Sequence, residues 1–267
     1  MTTARSYAVE AYNTATASAN KIHDDDVARA YGFRGGLVPG VDVYAYLTRA
    51  PVERWGASWL AGGSISVRFD HPVYDGERVV VTATGPPNDT ERVDEALNVV
   101  LTDPSGTVCA TATAMRTARP DERPVPPAAP LPQHRPPACA ETLTPDTTLG
   151  SLTERLDVDT HRRYLDDVRE TLPLYLDEPC VHPGWLLRSA NRVLAMNVEL
   201  GPWIHVASDV ALLRLVRPWE ELEVRGTVIA ERERKGHRFV ELDVAVLAGG
   251  AVAQRIHHTA IHTPRRS

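Results

Sequence analysis

Apolar and β-branched residues recur along this chain in two similar groups. In the first, Arg78 to Thr84, Ala96 to Thr102 and Thr107 to Arg116 are rich in valine and threonine and bounded by turn residues, which predicts three strands. Asp103-Pro104-Ser105-Gly106, between the last two, predicts a hairpin turn. The second group repeats this with Glu221 to Ala230, Arg238 to Leu247 and Ala251 to His262, broken at Lys235-Gly236 and Gly249-Gly250. Upstream of each group, a helical spacing follows a Pro-Gly pair. Val41 to Leu47 follows Pro39-Gly40, and Trp185-Leu186-Leu187 with Val193-Leu194 follows Pro183-Gly184. Each helix precedes a strand-like run carrying Arg-x-x-x-Pro: Ser64 to Val73 with Arg68 and Pro72, and Val210 to Trp219 with Arg214 and Pro218. Gly40 and Arg68 are 28 positions apart, and Gly184 and Arg214 are 30 apart. Asp25-Asp26-Val27 has a counterpart in Asp166-Asp167-Val168, which sets Tyr164 opposite His23. The ordered set predicts a duplicated unit of strand, helical excursion, buried central helix and a meander of about four strands. An apolar helix on one face of an antiparallel sheet is a stable two-layer, α+β arrangement.

Between the groups the composition changes. Nine of the chain's 21 prolines fall between Pro120 and Pro145. Proline has no N–H to give to a ladder or a helix, so the stretch reads as a semi-rigid connector, with an SH3-type ligand as the alternative. The expected organisation is a first unit over 1–118, a proline-rich linker over 119–147 and a second unit over 148–267.

The 267 residues suffice for one large domain or two small ones, and 43% hydrophobic with 24% charged residues is ordinary for a soluble globular protein. A net charge of −6 argues against a nucleic-acid surface. No polybasic run marks a membrane anchor, and no apolar run approaches a membrane span. The N-terminal residues lack a secretory apolar segment. Cys109, Cys139 and Cys180 form no C-x-x-C pattern, so a reduced, cytoplasmic setting is expected.

The chemistry centres on His23. It follows Asn20-Lys21-Ile22 and precedes the glycine-rich bend Gly32-Phe33-Arg34-Gly35-Gly36-Leu37-Val38-Pro39-Gly40. A histidine beside such a bend can bring a base to backbone N–H donors, as proton transfer next to a carbonyl requires.

The run Asn20-x-Ile22-His23-x-Asp25 with Gly32-Phe33-x-Gly35-x-Leu37-Val38-Pro39-Gly40 resembles the MaoC-like enoyl-CoA hydratases of the hotdog fold. The likeness covers most of both halves and implies a double hotdog, two such units side by side as a pseudo-dimer. It implies reversible hydration of 2-enoyl, or dehydration of 3-hydroxyacyl, thioesters of CoA or a carrier protein. Carried over position by position, His23 is the family histidine and Asn20 the asparagine, while Lys21 replaces the usual proline. Ser18 stands where the catalytic aspartate is expected. Gly40 would offer its N–H to the thioester carbonyl, with Val38 and Pro39 beside it and Pro39 where histidine is usual. Thr48 would be the hydroxylic residue on the central helix.

Serine is not a base near neutral pH. Either His23 does more, or a nearby carboxylate among Asp24, Asp25, Asp26 and Asp42 helps; for the first three, capping of the following helix is the plain reading. Asn20 is equally a turn residue or an orienting one, and Gly40 serves close packing or oxyanion binding. The second unit is expected to be non-catalytic. Trp185, Leu186, Leu187 and Trp203 would form core or an acyl-tunnel wall, with His182 and His205 nearby. Arg68 and Arg214 are solvated, ion-paired or phosphate-binding. His257-His258-x-x-x-His262 would not gather a metal on a strand, because 257 points away from 258 and 262. No dinucleotide loop, P-loop or nucleophile elbow is present, so no cofactor is expected. Two other readings share the sequence: a hotdog thioesterase or tailoring enzyme, and a non-catalytic acyl-binding subunit. The fused pair is compatible with a monomer or a homodimer.

Overall fold

The computed structural model describes residues 3–87, 94–119, 122–177 and 180–265. Residues 120 and 121, near the start of the proline linker, lie outside them. The elements of the first half are β1 (Thr3–Glu10), α1 (Asp25–Arg29), α2 (Gly40–Trp55), α3 (Ala57–Leu60), β2 (Ser64–Phe69), β3 (Arg78–Gly85), β4 (Ala96–Thr102) and β5 (Val108–Met115). Those of the second half are β6 (Thr148–Arg155), α4 (Val158–Asp167), α5 (Leu174–Asp177), α6 (Pro183–Asn197), β7 (Ile204–Leu212), β8 (Glu221–Arg234), β9 (His237–Ala248) and β10 (Ala251–Thr263).

All ten strands join in one antiparallel sheet, ordered β1-β3-β4-β5-β2-β7-β10-β9-β8-β6. Read outward from the centre, the two halves repeat one another: β2 matches β7, β5 matches β10, β4 matches β9, β3 matches β8 and β1 matches β6. The seam is the β2–β7 pair, with Ile65 opposite Val210 and Val67 opposite Ser208. α2 and α6 pack against each other and each against the strands of its own half. This is the double hotdog, and it makes the duplication visible in three dimensions.

The alternation decides what each strand buries. In β3, Val79, Val81 and Ala83 are buried while Arg78 and Val80 face out. α2 is buried along most of its length, including Tyr44, Leu47 and Val52, and stops at Gly56, whose φ of 62° ends the helical path.

Two expectations are corrected. The second Arg-x-x-x-Pro run does not form a strand over 210–219: β7 starts at Ile204 and ends at Leu212. Its register is set by pairing with β2 and β10 on its two sides, and past it Pro218 lacks a ladder N–H while Trp219 turns at φ 71°. The tripeptide match also fails as geometry, because Asp25-Asp26 open α1 whereas Asp166-Asp167 close α4. Tyr164 therefore does not occupy the place of His23; it lies buried within α4, against Gly184 of α6.

The described part of the linker lies along the second half. Ala129 and Ser151 exchange hydrogen bonds, Glu199 N donates to Pro136 O, and the Arg255 guanidinium donates to the carbonyls of Arg123 and Pro124. No disulfide joins the described cysteines, and no described helix is long and apolar enough to cross a membrane.

Candidate functional site

His23 closes a single 3-10 turn, Lys21–His23, capped by the Asn20 side chain, which accepts from Ile22 N. The His23 Nδ1 lies 2.7 Å from Leu37 O. A carbonyl only accepts, so Nδ1 carries the proton and Nε2 keeps its lone pair. Asn20 Nδ2 approaches that nitrogen at 3.3 Å. Burial lowers the His23 pKa below the ordinary histidine value; the Leu37 hydrogen bond and the Asp42 charge oppose this and do not reverse it. The half-buried ring is thus a neutral imidazole at pH 7, with an acceptor nitrogen.

The glycine-rich bend brings the backbone against this turn. A Cβ on Gly36 would lie 2.2 Å from His23 O, so only glycine permits the approach. Asp25 Oδ1 accepts from Gly36 N at 2.8 Å, and Asp24 caps α1 by accepting from Asp26 N and Val27 N. These acids build the loop, which explains their position without a role as a base. Pro39 is the N-cap of α2 and makes no side-chain cap. The helix interior leaves the first-turn amides of Gly40 and Val41 without carbonyl partners, at the positive end of a 16-residue helix.

Two adjoining cavities meet at the histidine. An inner one of about 220 Å³ is mainly apolar, with Ile22, Phe33, Leu37, Val43, Phe69 and Ile261 among its walls. A larger outer one, about 610 Å³, includes Ser18, Arg135, Arg188 and Arg192. Asn20, His23, Pro39, Asn191 and Trp203 line both and mark the boundary, or neck, where the two cavities adjoin. Asn191 and Trp203 belong to the second half, so the site is composite. From the same half His205 reaches the inner cavity, its Nδ1 3.0 Å from where a Cβ on Gly40 would stand. His205 Nε2 contacts Ala207 O at 3.2 Å and Ser208 Oγ at 2.8 Å, and Ser208 Oγ contacts His258 Nδ1 at 3.0 Å. Burial depresses the His205 pKa to about 3, so this ring stays neutral.

Among the carboxylates, Asp42 is fully buried near the neck but engaged on both oxygens: Arg188 donates to Oδ1 at 2.7 and 3.2 Å, and Thr14 to Oδ2 at 2.6 Å. The inner rim carries the exposed Asp70 and His71.

The residues singled out from sequence separate clearly. His23, Asn20, Val38, Pro39 and Gly40 are gathered at the inner cavity. Ser18 lines only the outer one, its Oγ accepting from Asn20 N at 3.1 Å. Thr48 is buried in α2 and donates to Ala45 O at 2.9 Å, away from both cavities. Of the tunnel-wall candidates only Trp203 lines them; Leu186 and Leu187 are core, and Trp185 packs edge-on to Tyr164. His182 caps α6 by accepting from Gly184 N and is fully buried. Arg214 pairs with Glu220, whereas Arg68 is exposed. His257 faces Asp209 and Glu241, His258 is buried beside Ser208, and His262 bonds Glu231; no metal-binding group occurs among the described residues.

Sequence reasoning missed Asn191, Asp70 and His71. Asn191 had a signal. Arg188, Asn191, Arg192 and Ala195 repeat at i, i+3, i+4 and i+7 along α6, three of them polar, and all four line the outer cavity.

The fold has solved relatives. A structure described as a MaoC domain dehydratase from Chloroflexus aurantiacus shares 11% identity, with all of this chain and 95% of that one covered at a TM-score of 0.66. A conserved protein from Mycobacterium tuberculosis with a double hotdog fold shares 14% identity over 98% and 95% of the two chains, TM-score 0.64. A structure described as a thioesterase from Novosphingobium aromaticivorans shares 12% identity over 96% and 94%, TM-score 0.54. No family model matches the chain, and no curated protein matches its sequence.

Proposed function

We propose that this protein is an enzyme acting on acyl thioesters of CoA or a carrier protein, and that its reaction is reversible hydration of 2-enoyl and dehydration of 3-hydroxyacyl groups. The observation that carries the reading is the state of His23: its Nδ1 proton is held by Leu37 O, so a neutral acceptor Nε2 stands at the neck between the cavities. The inner cavity is smaller than the usual drug-sized pocket and mainly apolar, which suits a short acyl chain. The outer cavity, with its arginines, suits the carrier end.

In dehydration, His23 Nε2 removes the proton from the carbon beside the thioester carbonyl. Charge develops on the carbonyl oxygen, and the Gly40 N–H at the start of α2 offsets it. The same imidazolium then returns the proton to the departing hydroxyl, so one base serves both steps in a chain with Ser18 at the aspartate position. Asn20 supports the ring, and Pro39 and Val38 shape the approach.

The test is a panel of enoyl and 3-hydroxyacyl thioesters followed by mass spectrometry, with His23→Ala as control. Turnover of crotonyl-CoA should fall about 10²–10⁴-fold in that variant; equal turnover would refute the role. A second reading, thioester hydrolysis, is favoured by one observation: an exposed carboxylate, Asp70, lines the inner cavity, and a carboxylate can take a proton from water. Release of free thiol that is lost in Asp70→Asn would select it.

A further inference from the structure

We propose that Asn191, from the second half, holds the substrate's 3-oxygen against His23: the hydroxyl of a 3-hydroxyacyl thioester, or the water that adds to a 2-enoyl one. The inference rests on the hydro-lyase reading and names the group that a lone histidine leaves unassigned.

With the acyl chain in the inner cavity and the carrier end in the outer one, as the hydro-lyase reading has them, the reacting carbons and the 3-oxygen fall at the boundary lined by His23 and Asn191. Of the two amide side chains there, Asn20 is spent. Its Oδ1 accepts from Trp203 N and Ile22 N, and its Nδ2 donates to Trp203 O and contacts His23. Asn191 is not: its Oδ1 is buried and has no hydrogen-bond partner among the described residues. A buried amide oxygen without a partner is costly unless a ligand supplies one. The other polar groups are engaged or stand apart from the boundary: His205 Nδ1 also lacks a partner, but His205 lines only the inner cavity, at Gly40. Ser18 lines only the outer cavity and accepts from Asn20 N, Asp42 is engaged on both oxygens, and Asp24 and Asp25 build the glycine-rich loop.

An amide does not titrate, so Asn191 orients and His23 alone moves the proton. In hydration, the water oxygen bonds to C3 while the C2–C3 π pair shifts toward C2 and the thioester oxygen. One water proton passes to His23 Nε2 and from there to C2. The other stays on the new hydroxyl, directed at Asn191 Oδ1. Every atom of the product comes from the water and the enoyl thioester.

The experiment compares Asn191→Leu, with Asn191→Ala as the second variant should the first not fold, against the intact chain. Crotonyl-CoA hydration should fall about a hundredfold, the usual scale for losing one positioned hydrogen-bonding group in an active site. Binding is measured in a His23→Ala background, free of turnover. There, Asn191→Leu should weaken 3-hydroxybutyryl-CoA while leaving butyryl-CoA, which lacks the 3-oxygen, within about twofold. Asn191→Asp should add a second ionisation to the pH profile of kcat/KM, because a titrating group then faces the same oxygen. Full hydration activity in Asn191→Leu, or equal loss of affinity for both thioesters, overturns the proposal. If the intact chain neither hydrates nor dehydrates any thioester, the hydro-lyase reading fails, and the two binding measurements still judge Asn191 by itself.

Discussion

Asn20 and Trp203, 183 positions apart, are joined by a two-way amide clamp: Trp203 N donates to Asn20 Oδ1 at 3.1 Å, and Asn20 Nδ2 donates to Trp203 O at 3.0 Å. The side chain mimics a strand neighbour and ties the turn that carries His23 to the second half. Asn20→Ala should leave both backbone groups of a buried residue unpaired, at a cost of about 2–4 kcal/mol. Asn20→Asp keeps one acceptor but turns a carboxylate toward Trp203 O and His23 Nε2. It should destabilise too, and raise the His23 pKa. Thermal melts and an NMR titration of the ring check both; an unshifted His23 titration in Asn20→Asp would refute the contact.

Arg188 and Asp42 join the two central helices. Asp42 is fully buried, and Arg188 also stacks over Tyr164 with its guanidinium carbon 4.4 Å from the ring centroid. Removing one partner strands a buried charge, so Arg188→Ala should cost about 3–5 kcal/mol. The double variant Arg188→Met with Asp42→Leu should recover much of that loss, since it leaves no buried charge behind. A denaturant double-mutant cycle measures it, and simple additivity of the two losses would contradict a coupled pair.

The architecture was legible wherever local pattern decides structure. The valine-rich alternation of Arg78–Gly85 and the glycine turns at 235–236 and 249–250 mark the ladders, and Pro-Gly marks both central helices. What failed needed tertiary information. β7 takes its register from partners on either side, which no local pattern of its own residues reports. The histidine turn was readable as a local motif, but the clamp from Asn20 to Trp203 and the approach of His205 to Gly40 join residues far apart in sequence. Asn191 was readable in principle as part of the polar stripe it shares with Arg188 and Arg192 on α6, and became meaningful only once both cavities were seen to meet there.

The two glycines at the site should respond differently to the same methyl group. On Gly36 it meets backbone, 2.2 Å from His23 O, which cannot yield without opening the turn. On Gly40 it meets the His205 ring at 3.0–3.3 Å, and a side chain can yield in part. Gly36→Ala should therefore cost about 3 kcal/mol and Gly40→Ala about 1 kcal/mol, within the range for overpacking. The Gly40→Ala cost should largely vanish in a His205→Ala background. Persistence of the full cost there would show that His205 is not the obstacle.

Acid should unfold this protein through its buried histidines before most carboxylates titrate. His161 is depressed to about 4 and His205 to about 3, in both cases chiefly by burial, and burial pushes His258 well below the ordinary value. Their folded pKa values lie below the unfolded one. Between the two values the unfolded chain binds more protons, so stability falls as pH drops from about 6.5 toward 3–4. Each unit of depression is worth about 1.4 kcal/mol. His257 opposes the trend, because its hydrogen bond with Asp209 and the nearby Glu241 raise its pKa, but it is one partly exposed group against five that burial lowers, His23 and His262 included. His258→Asn isolates one contribution: the amide oxygen can still accept from Ser208, yet it cannot titrate. Urea melts between pH 7 and 4 should then show a shallower loss of stability than in the parent chain. An unchanged slope would mean that the His205–Ser208–His258 cluster does not open by protonation.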